Sequence, residues 1–117
     1  MLQEKAVELG RLIGQSEEYK AVKRTSDALN EDREAMTLIR GMERLRTDAQ
    51  AMIERGENPT PEMEQQLDEL LSRVQVNATY QRAIAAQDNF DKLMLRVNEW
   101  ISEGIRKGAA SPIITLS

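Results

Sequence analysis

Residues 30–56, NEDREAMTLIRGMERLRTDAQAMIERG, decide the fold. Within them Ala35, Leu38, Met42, Leu45, Ala49 and Met52 alternate spacings of three and four, the a/d pattern of a helix that packs along a seam. Ile39 and Ile53 widen the stripe on one flank, and a stripe of that width asks for more than one neighbour. Asn30 reads as the N-cap, with Glu31, Asp32 and Glu34 placing negative charge on the first turn, where the helix dipole favours it. Gly56 stands where a C′ glycine belongs. In Glu57-Asn58-Pro59-Thr60-Pro61 the prolines forbid continuation, and Thr60 followed by Pro61 reads as an N-cap and an N1 proline. The stretch therefore predicts one long helix and a new start at Pro61, with Leu38, Met42, Leu45, Ala49 and Met52 as the seam along which copies of the chain associate.

On the N-terminal side, Leu2, Ala6, Leu9 and Ile13, with Leu12 beside them, share one helical face. Gly14-Gln15-Ser16-Glu17-Glu18 reads as a C-cap followed by an N-cap with acids in the first turn, which predicts a break near Gly14 and a helix from about Glu17 to Leu29. On the C-terminal side, Met63, Leu67, Leu70, Leu71 and Val74 line the face of the helix opened by Pro61, and Val74-Gln75-Val76-Asn77 closes it with a cap for the next helix. That last helix is expected from about Ala78 to Lys107, with a stripe of Tyr80, Ala83, Ile84, Phe90, Leu93, Met94, Val97, Trp100, Ile101 and Ile105. Such a helix spans roughly 45 Å. A compact chain of this size has a radius of gyration of only about 13 Å. The expectation is an all-α, elongated bundle of about four to five helices, two of them long, completed by oligomerisation to a homodimer or larger. Residues 1–107 form its single domain, and 108–117, with Pro112 and the β-branched Ile113, Ile114 and Thr115, form an extended tail that is frayed, docked or a short binding motif.

Composition narrows the chemistry. The 117 residues include no cysteine and no histidine. Disulfides, thiolate catalysis, Cys/His zinc sites, cysteine-held iron–sulfur clusters and histidine general bases therefore find no residues in this chain, and neither cofactor nor metal is expected. Charged residues at 31% and aromatics at 3% suit long exposed helices better than a sandwich or an α/β enzyme. A net charge of −4 gives no global reason to expect nucleic acid. Met1-Leu2-Gln3-Glu4-Lys5 lacks the basic start and apolar run of a signal peptide, and no stretch is long and apolar enough for membrane insertion, so a cytoplasmic location is expected.

Two groups of basic residues remain as candidates. Arg33, Arg40 and Arg44 fall on one ridge of the long helix, away from the apolar seam, as a candidate partner-binding surface. Their alternative is ordinary charge complementarity, within one protomer or between two, with Glu57, Glu62, Glu64, Asp68 and Glu69, a segment without a basic residue. Lys20, Lys23 and Arg24 form a basic side of the second helix, read either as a solvated face partly paired with Glu17 and Asp27 or as a face for an acidic partner.

The order of landmarks resembles the YlbF/YmcA family of small bacterial helical proteins, especially its cysteine-free YheA-like branch. The resemblance rests on Ala6 to Leu9, Ser16-Glu17-Glu18-Tyr19, Leu29-Asn30-Glu31-Asp32-Arg33-Glu34-Ala35, Gly56 before the proline turn, and Asn77 with Tyr80. It implies a non-enzymatic, oligomeric regulator or adaptor that acts through protein partners, and in the best known members one tied to RNA processing, competence, sporulation and biofilm formation. Those members carry C-terminal cysteines associated with an iron–sulfur cluster, and this chain has none. A second class is an all-α enzyme similar to the chorismate mutases, binding an anionic substrate between helices with groups such as Arg11, Lys23, Arg33, Arg40 and Arg44. Convergence of those groups on one buried pocket would mark the enzyme, and a solvated ridge the adaptor.

Overall fold

The computed structural model describes the backbone of residues 1–116 and the side chains of residues 1–110. Along the chain run α1 (Leu2–Gly14), α2 (Glu17–Glu31), α3 (Arg33–Glu54), α4 (Pro61–Gln75) and α5 (Ala78–Leu116), with no strand among the described residues. The all-α, elongated expectation holds. The radius of gyration is 21.6 Å and the molecule extends 68 × 37 × 20 Å.

Side-chain caps place the turns. Ser16 accepts the Tyr19 amide at 3.1 Å while its hydroxyl donates to the Ile13 carbonyl at 2.6 Å, turning the chain just after Gly14. At the end of α3, Gly56 adopts φ +81°, the left-handed conformation that a glycine takes without steric cost. The Glu57 amide then donates to the Met52 carbonyl at 2.8 Å and the Gly56 amide to the Ile53 carbonyl at 3.0 Å, closing a Schellman motif. Thr60 accepts the Met63 amide at 3.2 Å ahead of Pro61, and Asn77 accepts the Tyr80 amide at 2.9 Å to open α5.

Two boundaries differ from the sequence reading. The cap of α3 is Asp32, which accepts the Ala35 amide at 3.0 Å, so Asn30 stays inside α2. Asp32 wins because tertiary partners hold it as well: Asn77 Nδ2 donates to its carboxylate at 3.4 Å, and the Thr79 hydroxyl is a further donor. The second difference is α5, which continues to Leu116 instead of ending near Lys107, so the backbone of 108–116 is helical and not extended. Ala109 and Ala110 are the strongest helix formers and carry the helix past Gly108. Docking or recognition by residues 111–117 concerns side chains that lie outside the described residues.

The turn at 55–60 folds α4 back along α3. Leu38, Met42 and Val74 form the buried core, with Ile39, Leu67, Leu70, Leu71 and Tyr80 packed against it. A Cβ on Gly41 would lie 3.2 Å from Leu70 Cδ1, so this glycine lets α4 approach closely. The seam expected to join copies of the chain is thus filled, over Leu38 and Met42, by the chain's own α4. A tethered helix reaches the stripe at a far higher effective concentration than a second molecule. Leu45, Ala49 and Met52 are half-buried, with Leu45 and Ala49 facing Met63 and Leu67 across a shallow groove.

The other pairing is α2 on α5. Tyr19 meets Phe90 edge-on with centroids 5.6 Å apart, and Leu29 shares a groove with Tyr80 and Ile84, so the two helices run antiparallel. The 15 residues of α2 span about 22 Å, whereas the 39 of α5 span about 58 Å. Cover therefore runs out partway along α5. Val97 is buried, and every residue from Asn98 to Ala110 is exposed. The 13 residues of α1 bury none of their side chains fully.

Candidate partner-binding surface

On α3 the ridge and the seam lie on opposite sides by helical geometry, and Arg33, Arg40 and Arg44 are all exposed. None of the three is in an ion pair among the described residues. Within the chain no ion pair joins the acidic segment after Gly56 to them among the described residues; its Glu57 pairs with Arg55 at 3.3 Å. Arg33 is the first residue of α3, where the dipole disfavours a cation, and Arg40 and Arg44 repel one another weakly at a spacing of four.

The five basic groups that an anion-binding enzyme would need do not converge. Arg11 bonds Glu8 on its own helix, and Lys23 faces a groove at the α1–α2 corner with Tyr19, Lys20 and Arg24. Arg33 lies beside Arg73 in a shallow furrow between α3 and α4, which contains neither Arg40 nor Arg44. Within the α2 face Lys20 pairs with Glu17 at 3.7 Å, as expected, while Asp27 lines the same groove with no ion pair among the described residues. Among the described residues no cluster of acidic side chains is placed to hold a metal ion, and no helix is long and apolar enough to cross a membrane.

Sequence reasoning missed the junction of Asp32, Asn77 and Thr79, which ties the α2–α3 corner to the start of α5. The capping amide of Ala35, then the Thr79 hydroxyl, hold the Asp32 carboxyl below the usual carboxylate range, against a smaller opposing effect of burial. Asn77 was legible as a cap, but its second bond spans 45 residues and no local signal reports it. The other omission is the uncovered far end of α5, whose Trp100, Ile101 and Ile105 read in sequence as ordinary members of a packed stripe.

With this fold and surface in place, comparison with known proteins assigns the class: residues 2–106 match the family described as control of competence regulator ComK, YlbF/YmcA, and the chain belongs to that family of regulators. A relative, a UPF0342 protein of Streptococcus gordonii, is 26% identical over 101 residues, covering 86% of this chain and 90% of the relative. The fold is that of Bacillus subtilis RicA, solved by X-ray crystallography in complex with RicF, at a TM-score of 0.79 and 21% identity over 92% of this chain and 96% of that one.

Proposed function

We propose that this chain is a non-enzymatic regulatory adaptor that engages another protein through the arginine ridge Arg33, Arg40 and Arg44. One observation carries the reading: three arginines stand exposed on one side of α3 without an ion-pair partner among the described residues, in a chain of net charge −4. Planar guanidinium groups suit bidentate recognition of carboxylates, so the partner surface is acidic. Membership of a regulator family supports the reading, and so does the association of the RicA fold with another protein. The family resemblance extends it to RNA processing, competence, sporulation and biofilm formation as the processes regulated.

The test is affinity capture from the native cytoplasm with quantitative mass spectrometry, comparing the wild-type chain with Arg40→Glu/Arg44→Glu. Both positions are exposed, so helicity and melting temperature should be unchanged. Specific partners should fall by roughly tenfold or more, the scale of losing two charge-assisted contacts. Undiminished capture by a folded double variant would make the ridge plain solvated surface.

A further inference from the structure

Where the start of α3 passes the end of α4, two arginines from different helices line one furrow. Arg33, the first residue of α3, and Arg73, in the last turn of α4, share it with Glu34 and Thr37, over Leu38 and Leu70. Both arginines are exposed, and neither is in an ion pair among the described residues. Glu34 offsets one of the two charges, so the furrow stays cationic in a chain of net charge −4. The backbone on each wall is held firmly. Arg33 follows Asp32, which accepts the Ala35 amide at 3.0 Å and is tied to Asn77 at 3.4 Å, while Arg73 precedes Val74, which is wholly buried. Leu70 packs into the space that Gly41 leaves, 3.2 Å from where a Cβ would stand. Two guanidinium groups therefore hang from fixed positions on facing sides of an apolar base.

We infer that this furrow seats one acidic side chain of the partner protein, with Arg33 and Arg73 closing on its carboxylate from opposite walls and an apolar neighbour of that residue resting on Leu70. The inference rests on the reading of Arg33, Arg40 and Arg44 as a surface for an acidic partner, and it adds Thr37 and Arg73 to that surface. Each guanidinium presents a planar fork that matches a carboxylate, so two of them engage both of its oxygens, and the Thr37 hydroxyl supplies a neutral donor one turn along from Arg33. The half-buried Leu70 gives the apolar neighbour its place and favours a peptide over a bare anion. A nucleic acid fits less well, because one pair of arginines with Glu34 beside them is no track for successive phosphates. Arg40 and Arg44 follow Arg33 roughly 11 and 17 Å along the axis of α3. The partner segment therefore presents a row of carboxylates, the first of them gripped in the furrow.

The probe is the blocked tripeptide leucine-glutamate-leucine, titrated into the nitrogen-15-labelled full chain and followed by amide chemical shifts. The amides of Arg33, Thr37, Leu70 and Arg73 should shift saturably, and the same tripeptide with glutamine in place of glutamate should leave them unmoved. Arg73→Glu, an exposed change checked by unaltered helicity, should weaken binding roughly tenfold or more. Arg73→Lys keeps the charge and loses the fork, and should weaken it roughly threefold or more. Arg40→Glu/Arg44→Glu should still bind the tripeptide, since neither residue lines the furrow, even where it loses the partner protein. Failure of the ridge reading thus shows in partner capture, and failure of the furrow in the tripeptide titration. Shifts that are absent or do not saturate by about 10 mM would overturn the inference. Binding indifferent to Arg73→Glu, or a lysine as good as the arginine, would overturn it too. Tighter saturation of the same amides by a short oligothymidylate would also overturn it, in favour of a nucleic acid.

Discussion

Single residues do more in this chain as punctuation than as chemistry. Asn77 both caps α5 and donates to Asp32. Asn77→Ala should therefore cost about 1 kcal/mol for the cap alone, read from the midpoint of denaturant unfolding. Asp32 gives the corner a pH dependence. Its carboxyl is held below the usual range by the Ala35 amide first and the Thr79 hydroxyl second, so the folded chain binds the proton less readily than the unfolded one. The resulting stability is complete above the unfolded carboxylate pKa of about 3.9 and is lost as pH falls through the lower folded value. Asp32→Asn, which keeps a capping oxygen but does not titrate, should flatten the acid limb of the stability profile. An unchanged acid limb would show that the junction carries no such linkage.

At the scale of elements, α3 and α4 form the tightest unit. Leu38 is 3% exposed against Val74, which is wholly buried, so Leu38→Ala should cost about 2–5 kcal/mol in thermal or denaturant unfolding. A small loss would mean that the α3–α4 seam is not the core. The positions of the helices were legible because caps are local: Ser16, Gly56, Thr60-Pro61 and Asn77 each act within a few residues of where they stand. What covers each stripe was not legible. The a/d spacing from Ala35 to Met52 specifies a packed face without naming the packer, and the turn at 55–60 supplies the chain's own α4 to Leu38 and Met42. The same ambiguity hid the bare end of α5, where Trp100 and Ile105 continue the pattern of Phe90 and Val97 but lack their cover. The start of α3 escapes a local reading for a related reason, since Asn30 and Asp32 are equal as local caps and only the distant Asn77 and Thr79 decide between them.

The whole molecule is a pair of antiparallel helix pairings, α3 with α4 and α2 with α5, from which α5 projects beyond its cover. The candidate ridge was legible as a position, three arginines on one side of α3, because helical geometry alone places them opposite the seam. Its lack of ion pairs among the described residues was not, since only the folded chain shows which charges meet. Among the described residues this architecture offers surfaces: a cationic ridge on α3 and an apolar stripe at the end of α5. The measurement that tests this most directly is native mass spectrometry of the assembly drawn from the native cytoplasm, wild type beside Arg40→Glu/Arg44→Glu. A second protein bound to the wild type and absent from the folded variant is the predicted result. The same second protein retained on the folded variant would contradict the account.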